Sequence, residues 1–155
     1  MRGWRLDNKR FQGSWDSGEG AFQFGGRWNS KGTRAVYACT DPSTAVLEVA
    51  VHKGFRVLDS VAHVLTCFEI IDPSAIPIID AGAVANANWL TPGLPSAGQQ
   101  QFGDELLARY GSFLIPSVVS RHAWNLVFDP QRKKSNYQLV FQEDFALDTR
   151  LHPPA

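Results

Sequence analysis

Four polar side chains stand where an apolar core would not ask for them. Arg27 follows Gly25 and Gly26, Tyr37 sits in the apolar run Ala35-Val36-Tyr37-Ala38, Glu48 interrupts Ala45-Val46-Leu47-Glu48-Val49-Ala50-Val51, and Ser117 follows Ile115-Pro116. Glu48 is the most anomalous of them, because a carboxylate is costly to desolvate unless something pairs with it. A fixed carboxylate can stabilise positive charge that develops during a reaction. An arginine on a glycine-flanked turn offers a planar, permanently charged fork for an anion, and the glycines allow close backbone approach. Each residue also has a plain structural reading. Arg27 can be a surface cation, Tyr37 a core ring with its hydroxyl at the rim, Glu48 a carboxylate held by any arginine, and Ser117 a turn or cap residue.

The elements that must position these groups follow from pattern. The chain has 155 residues with 44% hydrophobic and 12% aromatic content, enough apolar mass for one folded domain over 1–150 and a short tail at 151–155. Gly3 to Leu6 reads as a short strand, and Asp7 to Gly26, glycine-rich and interleaved with aromatics, as a loop packed against the domain. Arg34 to Cys39 reads as a strand. Asp41 as N-cap and Pro42 at the first helical position predict a helix from Pro42 to about Lys53, apolar nearly all round and therefore buried. Val61 to Ile71 and Ile76 to Ile79 are strand candidates, and Ala81 to Pro95 carries turn signals without an element. Ser96 with Gln99 forms a capping-box pattern ahead of a helix that ends at Gly111, with Phe102, Leu106 and Tyr110 on one face. Phe113 to Ile115, Asn125 to Phe128 and Tyr137 to Phe141 complete the strands. Helices and strands do not alternate regularly, which favours an α+β class over a doubly wound sheet.

Several kinds of chemistry are excluded. Gly25-Gly26-Arg27-Trp28-Asn29-Ser30-Lys31 lacks the phosphate-loop order in which glycine directly precedes lysine, and no spaced-glycine dinucleotide fingerprint or Gly-x-Ser-x-Gly elbow is present. His52, His63, His122 and His152 are scattered, with no metal-binding spacing, so no metal is expected. Fifteen basic and fifteen acidic residues give zero formal net charge, which argues against nucleic-acid binding through global charge. No apolar run is long enough to span a membrane, and MRGWRLDNKR lacks the apolar centre of a signal peptide. A cytoplasmic protein is expected, with Cys39 and Cys67 as reduced core thiols.

In combination the residues match a family pattern. Gly25-Gly26-Arg27-Trp28-Asn29, Val36-Tyr37-Ala38, Leu47-Glu48 with His52, and Pro116-Ser117 with Trp124-Asn125 resemble the RES-domain toxins. The resemblance runs from Trp4-Arg5 to Asp129-Pro130, and Gly-Gly-Arg-Trp-Asn is its most specific piece. Asp129-Pro130-Gln131-Arg132-Lys133 departs from the family's Asn-Pro-x-His-Pro, and Ala81 to Gln101 matches nothing in the pattern.

The resemblance implies a fold similar to that of ADP-ribosyltransferases and an attack on NAD+ as substrate, with no separate cofactor. Glu48 would stabilise the oxocarbenium-like ribose, Arg27 would hold the pyrophosphate, and Tyr37 and Ser117 would touch nicotinamide or ribose. Trp28 and Asn125 would complete the substrate contacts, Asn125 from behind the others. Water or phosphate as acceptor would destroy NAD+ and arrest growth, while a protein acceptor would make the same site an ADP-ribosyltransferase. A third possibility is a non-catalytic binding module in which Glu48 and Arg27 form a buried ion pair. The implied partner is a cognate Xre/Cro-like antitoxin that blocks the cleft and itself binds the operator.

Overall fold

The structure is a computed structural model that describes residues 1–84, 86–89, 91, 93 and 95–151. His152 and the rest of the expected tail, together with Ala85, Leu90, Pro92 and Leu94, lie outside the described residues.

One six-stranded sheet organises the chain in the order β4-β5-β2-β1-β3-β6. Its strands are β1 (Arg2–Asn8), β2 (Val36–Cys39), β3 (His63–Ile70), β4 (Ser112–Pro116), β5 (Trp124–Phe128) and β6 (Tyr137–Phe145), and each neighbouring pair is antiparallel. The helices are α1 (Glu19–Phe24), α2 (Pro42–Lys53), α3 (Phe55–Ser60) and α4 (Ala97–Tyr110). An antiparallel sheet with helices inserted irregularly is the α+β class that the sequence predicts.

Register decides which residues share a face, because side chains alternate along a strand. Ile115 pairs with Asn125, Asn125 with Cys39, Cys39 with Trp4, Trp4 with Cys67 and Cys67 with Phe141, so one row crosses the whole sheet. Asn125 is the polar amide in that row. On its face lie two apolar clusters. One comprises Trp28, Val84, Trp89, Leu107, Phe113, Ile115 and Val127, next to α4; the other gathers Leu6, Ala50, Leu58 and Leu65, below α2 and α3. The opposite face is filled by Trp15, Val36, Ala38, Phe68, Leu126 and Phe128. There Gly3 makes room for the Phe68 ring opposite it, since a Cβ at Gly3 would lie 2.3 Å from that ring.

The ends of α2 follow the sequence signals. Asp41 accepts the Thr44 N–H at 2.8 Å, Pro42 opens the helix, and Gly54 at φ +80° ends it. The side-chain cap contributes about 1 kcal/mol. The expectation of a fully buried α2 is corrected: Leu47 is 41% and Val51 63% exposed, because the sheet covers one side of the helix only. Ser96 caps α4 as predicted, but the Gln99 side chain turns inward to the Trp89 carbonyl. The buried stripe of α4 is accordingly Gln99, Gly103 and Leu107, rather than the face centred on Phe102, Leu106 and Tyr110.

Five further boundaries differ. The segment read as a loop over 7–26 holds a 3-10 turn (Lys9–Ser14) and α1, whose Gln23 side chain donates to Glu19 one turn earlier. The first residues of the expected strand from Val61 to Ile71 are not in β3, and α3 precedes it directly. Ile76 to Ile79 forms no strand; Pro73–Ala75 is a 3-10 turn and Ile78 makes one isolated parallel bridge with Leu114. Ala81–Ala83, expected without an element, is a 3-10 turn, and β6 runs on to Phe145.

Candidate active site

Two polar clusters meet along β2. Tyr37 and Cys39 are two residues apart on one strand face, their Cα atoms about 7 Å apart, and each anchors one cluster.

The first cluster is built on a tight turn. Gly26 and Asn29 close it, with the Gly26 N–H donating to the Asn29 carbonyl at 2.9 Å, and Arg27 and Trp28 form its tip. Gly26 must be glycine here, because a Cβ would lie 2.5 Å from the Tyr37 hydroxyl. That hydroxyl donates to Asn29 Oδ1 at 2.6 Å and accepts the Trp28 N–H at 3.0 Å. Burial, the largest influence, pushes the Tyr37 phenol well above its ordinary range, so it stays a neutral donor. Asn29 is fully buried, with Nδ2 among the carbonyls of Ala21, Ser30 and Thr33.

Trp28 is 1% exposed and packs against Trp89 and Phe102, with ring centroids 5.6 and 6.4 Å away. The expectation that Trp28 meets a ligand is corrected by this burial: its ring anchors the turn and presents no face to solvent. Arg27 is half-buried. Its Nη1 donates to the Trp89 carbonyl at 3.1 Å, and among the described residues it has no carboxylate partner. A neutral acceptor thus orients the guanidinium and leaves its charge uncompensated.

The second cluster surrounds Glu48. Its Oε1 accepts from Asn125 Nδ2 at 2.7 Å and from Ser117 Oγ at 2.9 Å. Oε2 has His52 Nε2 at 3.8 Å, one helical turn on, and 17% of the Glu48 side chain remains exposed. Ser117 is fully buried and its oxygen also accepts the N–H groups of Val119 and Ser120, both at 3.2 Å. These contacts place the hydroxyl on the proton-donating side toward Glu48. Asn125 Oδ1 in turn accepts from Cys39 Sγ at 3.3 Å. Burial and the Glu48 charge push the Cys39 thiol far above its usual range, which keeps it a donor.

The structure therefore brings Glu48, Ser117 and Asn125 into direct contact, and sets Arg27, Tyr37 and Trp28 in one adjoining turn. The Arg27–Glu48 ion pair of the third possibility is not formed among the described residues: the ion-pair neighbour of Glu48 is His52 at 3.8 Å, and Arg27 bonds to the Trp89 carbonyl. Asn125, expected behind the others, holds the Glu48 carboxylate from there. Sequence reasoning missed Asn29 and Cys39 as parts of the site. Asn29 was signalled by closing the Gly-Gly-Arg-Trp-Asn run; Cys39 had no signal before the register was known. Among the described residues no group of three or more His, Cys, Asp or Glu side chains could hold a metal. Chemically, the arrangement offers a partly exposed carboxylate fixed through one oxygen, with His52 3.8 Å from the other, beside an arginine that no carboxylate pairs among the described residues.

An antiparallel α+β sheet of this kind recurs in a solved structure. The solved structure of the Mycobacterium tuberculosis MbcT–MbcA toxin–antitoxin complex contains a similar chain, with a TM-score of 0.74 at 20% identity over 94% of this chain and 84% of that one. The RES domain family model matches residues 2–148, and the chain belongs to the RES-domain family. It is 33% identical to "Toxin Res" of Photorhabdus laumondii, over 96% of this chain and 95% of that protein. It is likewise 33% identical to "Toxin Res" of Yersinia enterocolitica, over 96% and 97%. A Sphingobium protein named "Prs ADP-ribosylating toxin" is 29% identical over 82% of this chain and 81% of that protein.

Proposed function

We propose that the chain is the toxin of a toxin–antitoxin pair and that it breaks the nicotinamide–ribose bond of NAD+, passing ADP-ribose to water or phosphate. One observation carries this reading. Glu48 keeps a charged oxygen open while neutral donors grip the other, an arrangement suited to a cationic centre that forms only in the transition state. Loss of nicotinamide leaves an oxocarbenium-like ribose, and the open oxygen also suits a ribose hydroxyl. Arg27, with its charge uncompensated, takes the pyrophosphate through its remaining N–H groups. Tyr37 sets the Arg27 turn by its hydroxyl and lends its ring to the wall between the clusters. Ser117 and Asn125 fix the Glu48 carboxylate. NAD+ is the substrate, and the residues call for no further cofactor.

A cytoplasmic chain that destroys NAD+ needs restraint, and an Xre/Cro-like antitoxin that covers the Arg27 and Glu48 cleft would supply it. The name of the Sphingobium relative favours a second reading, in which a protein side chain is the acceptor at the same carboxylate.

The test is to incubate purified protein with NAD+ and follow free nicotinamide, with mass spectrometry of the other product in the presence and absence of phosphate. Free ADP-ribose or its phosphate is expected. Incubation with cell lysate and labelled NAD+ runs alongside. Label collecting on one protein band, with little free product, would establish the second reading, and no nicotinamide from folded protein would refute both.

A further inference from the structure

The turn that carries Arg27 is held from one side by α4, a helix with no part in the chemistry above. Gln99, Gln100, Gly103 and Asp104 fall on one stripe of that helix. Gln100 Nε2 donates to the Gly26 carbonyl at 2.8 Å, and Asp104 Oδ1 accepts the Ser30 N–H at 3.0 Å. Gly103 lets the Trp28 carbonyl approach so closely that a Cβ there would lie 2.0 Å from it. Gln99 acts differently. It is 3% exposed, and its Nε2 donates at 3.1 Å to the Trp89 carbonyl, the oxygen that also accepts Arg27 Nη1 at 3.1 Å.

A carbonyl oxygen has two lone pairs, and these two donors use both. Trp89 lies between the Ala81–Ala83 turn and α4, outside any helix or strand, so no ladder of backbone bonds fixes its carbonyl. Gln99, rooted in a 14-residue helix, does so. We infer that Gln99 is the positioning residue for Arg27: by holding the Trp89 carbonyl it sets the plane of the guanidinium and leaves its charge free for a phosphate. The inference rests on the reading of Arg27 as the pyrophosphate ligand. An amide is the group this task requires. The two nitrogens, each bonded to one oxygen, lie within roughly 6 Å of each other, the range in which an opposite charge acts strongly. A carboxylate in place of the amide would neutralise Arg27, and an apolar side chain would release the carbonyl.

The experiment compares wild type, Gln99→Met and Gln99→Glu, each with and without Arg27→Ala, after thermal melting has established folding. NAD+ turnover is measured from pH 5.5 to 8. Gln99→Met should raise KM about 5- to 30-fold, the range for one lost positioning hydrogen bond, with kcat within about threefold. Gln99→Glu, ionised beside Arg27 across this range, lacks the donor and opposes the free charge, so it should raise KM at least as much as Gln99→Met at every pH. Neither change should matter further in the Arg27→Ala background, which a purely structural role would not require. An unchanged KM in folded Gln99→Met, or an equal rise without Arg27, would overturn the inference. Should Gln99→Met fail to fold, Gln99→Glu decides by whether its effect on KM depends on Arg27.

If the wild type does not cleave NAD+, or Arg27→Ala leaves KM unchanged, the functional reading falls instead. Side-chain NMR then judges the positioning separately. Resolved, slowly exchanging Arg27 Nη–H signals are expected in wild type, and averaged signals in Gln99→Met. Identical Nη–H signals in wild type and Gln99→Met would overturn it.

Discussion

Glu48→Gln separates charge from shape. The amide oxygen can take the place of Oε1 and keep both hydrogen bonds, from Asn125 Nδ2 at 2.7 Å and Ser117 Oγ at 2.9 Å. Its NH2 must then occupy the Oε2 position beside His52, where it offers a donor in place of an anionic acceptor. Two charge-assisted hydrogen bonds become neutral ones, a loss of about 1–2 kcal/mol, against which removal of a partly buried charge is a gain. Stability should therefore change by less than about 1.5 kcal/mol. The transition state loses more. Removing one preorganised electrostatic partner costs about 3–4 kcal/mol, so kcat should fall on the order of 10²- to 10³-fold, with KM for NAD+ changed little. Nicotinamide release by the purified variant gives the rate, and urea unfolding gives the stability. A folded Glu48→Gln protein with kcat within tenfold of wild type would remove the carboxylate from the mechanism.

The other expectations follow from the same contacts. Ser117→Ala removes a donor to Glu48 and strands the Val119 and Ser120 N–H groups, so it should cost about 1–3 kcal/mol in urea unfolding as well as activity. Asn125→Asp sets a second carboxylate against Glu48; the pair then shares a proton at neutral pH, and the acid limb of the kcat profile should move upward by at least about one unit. Gly103→Ala forces the Trp28 carbonyl away from α4 and should destabilise by about 1–3 kcal/mol despite the better helix propensity of alanine, measured by thermal melting. Tyr37, Tyr137 and Cys39 all have raised pKa values in the folded chain, chiefly through burial, so the unfolded chain releases their protons first. The stability they contribute is complete below about pH 9 and lost as pH rises further, and Tyr37→Phe should make the alkaline fall in urea midpoint shallower.

The sequence made α2 and α4 legible because their ends carry local chemistry. Asp41, Pro42, Ser96 and Gly111 act within a few residues of themselves. The strands were legible for a similar reason, as short apolar runs between turn signals. What escaped depends on contacts far apart in sequence. Whether α2 is buried all round is a question about what covers it, and periodicity cannot supply the answer for Leu47 and Val51. Trp28 adjoins Arg27 in sequence, but the packing of Trp89 and Phe102 onto its ring, which no local pattern announces, buries it. Likewise Cys39 joins the site through the β2 and β5 register, and Gln99, read as a helix cap, bonds to a carbonyl ten residues back.

The two charges of the site are kept from each other by design of their partners. Glu48 is bound by an amide and a hydroxyl, and Arg27 by a carbonyl, all neutral groups. Had the fold let Arg27 and Glu48 pair, the mutual attraction would have to be broken before either met a ligand, and truncating one would strand the other. Neutral partners fix position without cancelling charge. They leave an anionic group and a cationic group on two adjoining clusters. In the proposed reading the substrate carries the opposite order: a cationic nicotinamide ribose beside Glu48, and an anionic pyrophosphate beside Arg27. Complementary charges of this kind discriminate by sequence along the ligand, since a dinucleotide bound in reverse would place phosphate on the carboxylate. A ligand with pyrophosphate and no cationic ring, such as ADP-ribose, should keep the Arg27 half of the binding and lose the Glu48 half, which is the direction that favours release of product over retention of it.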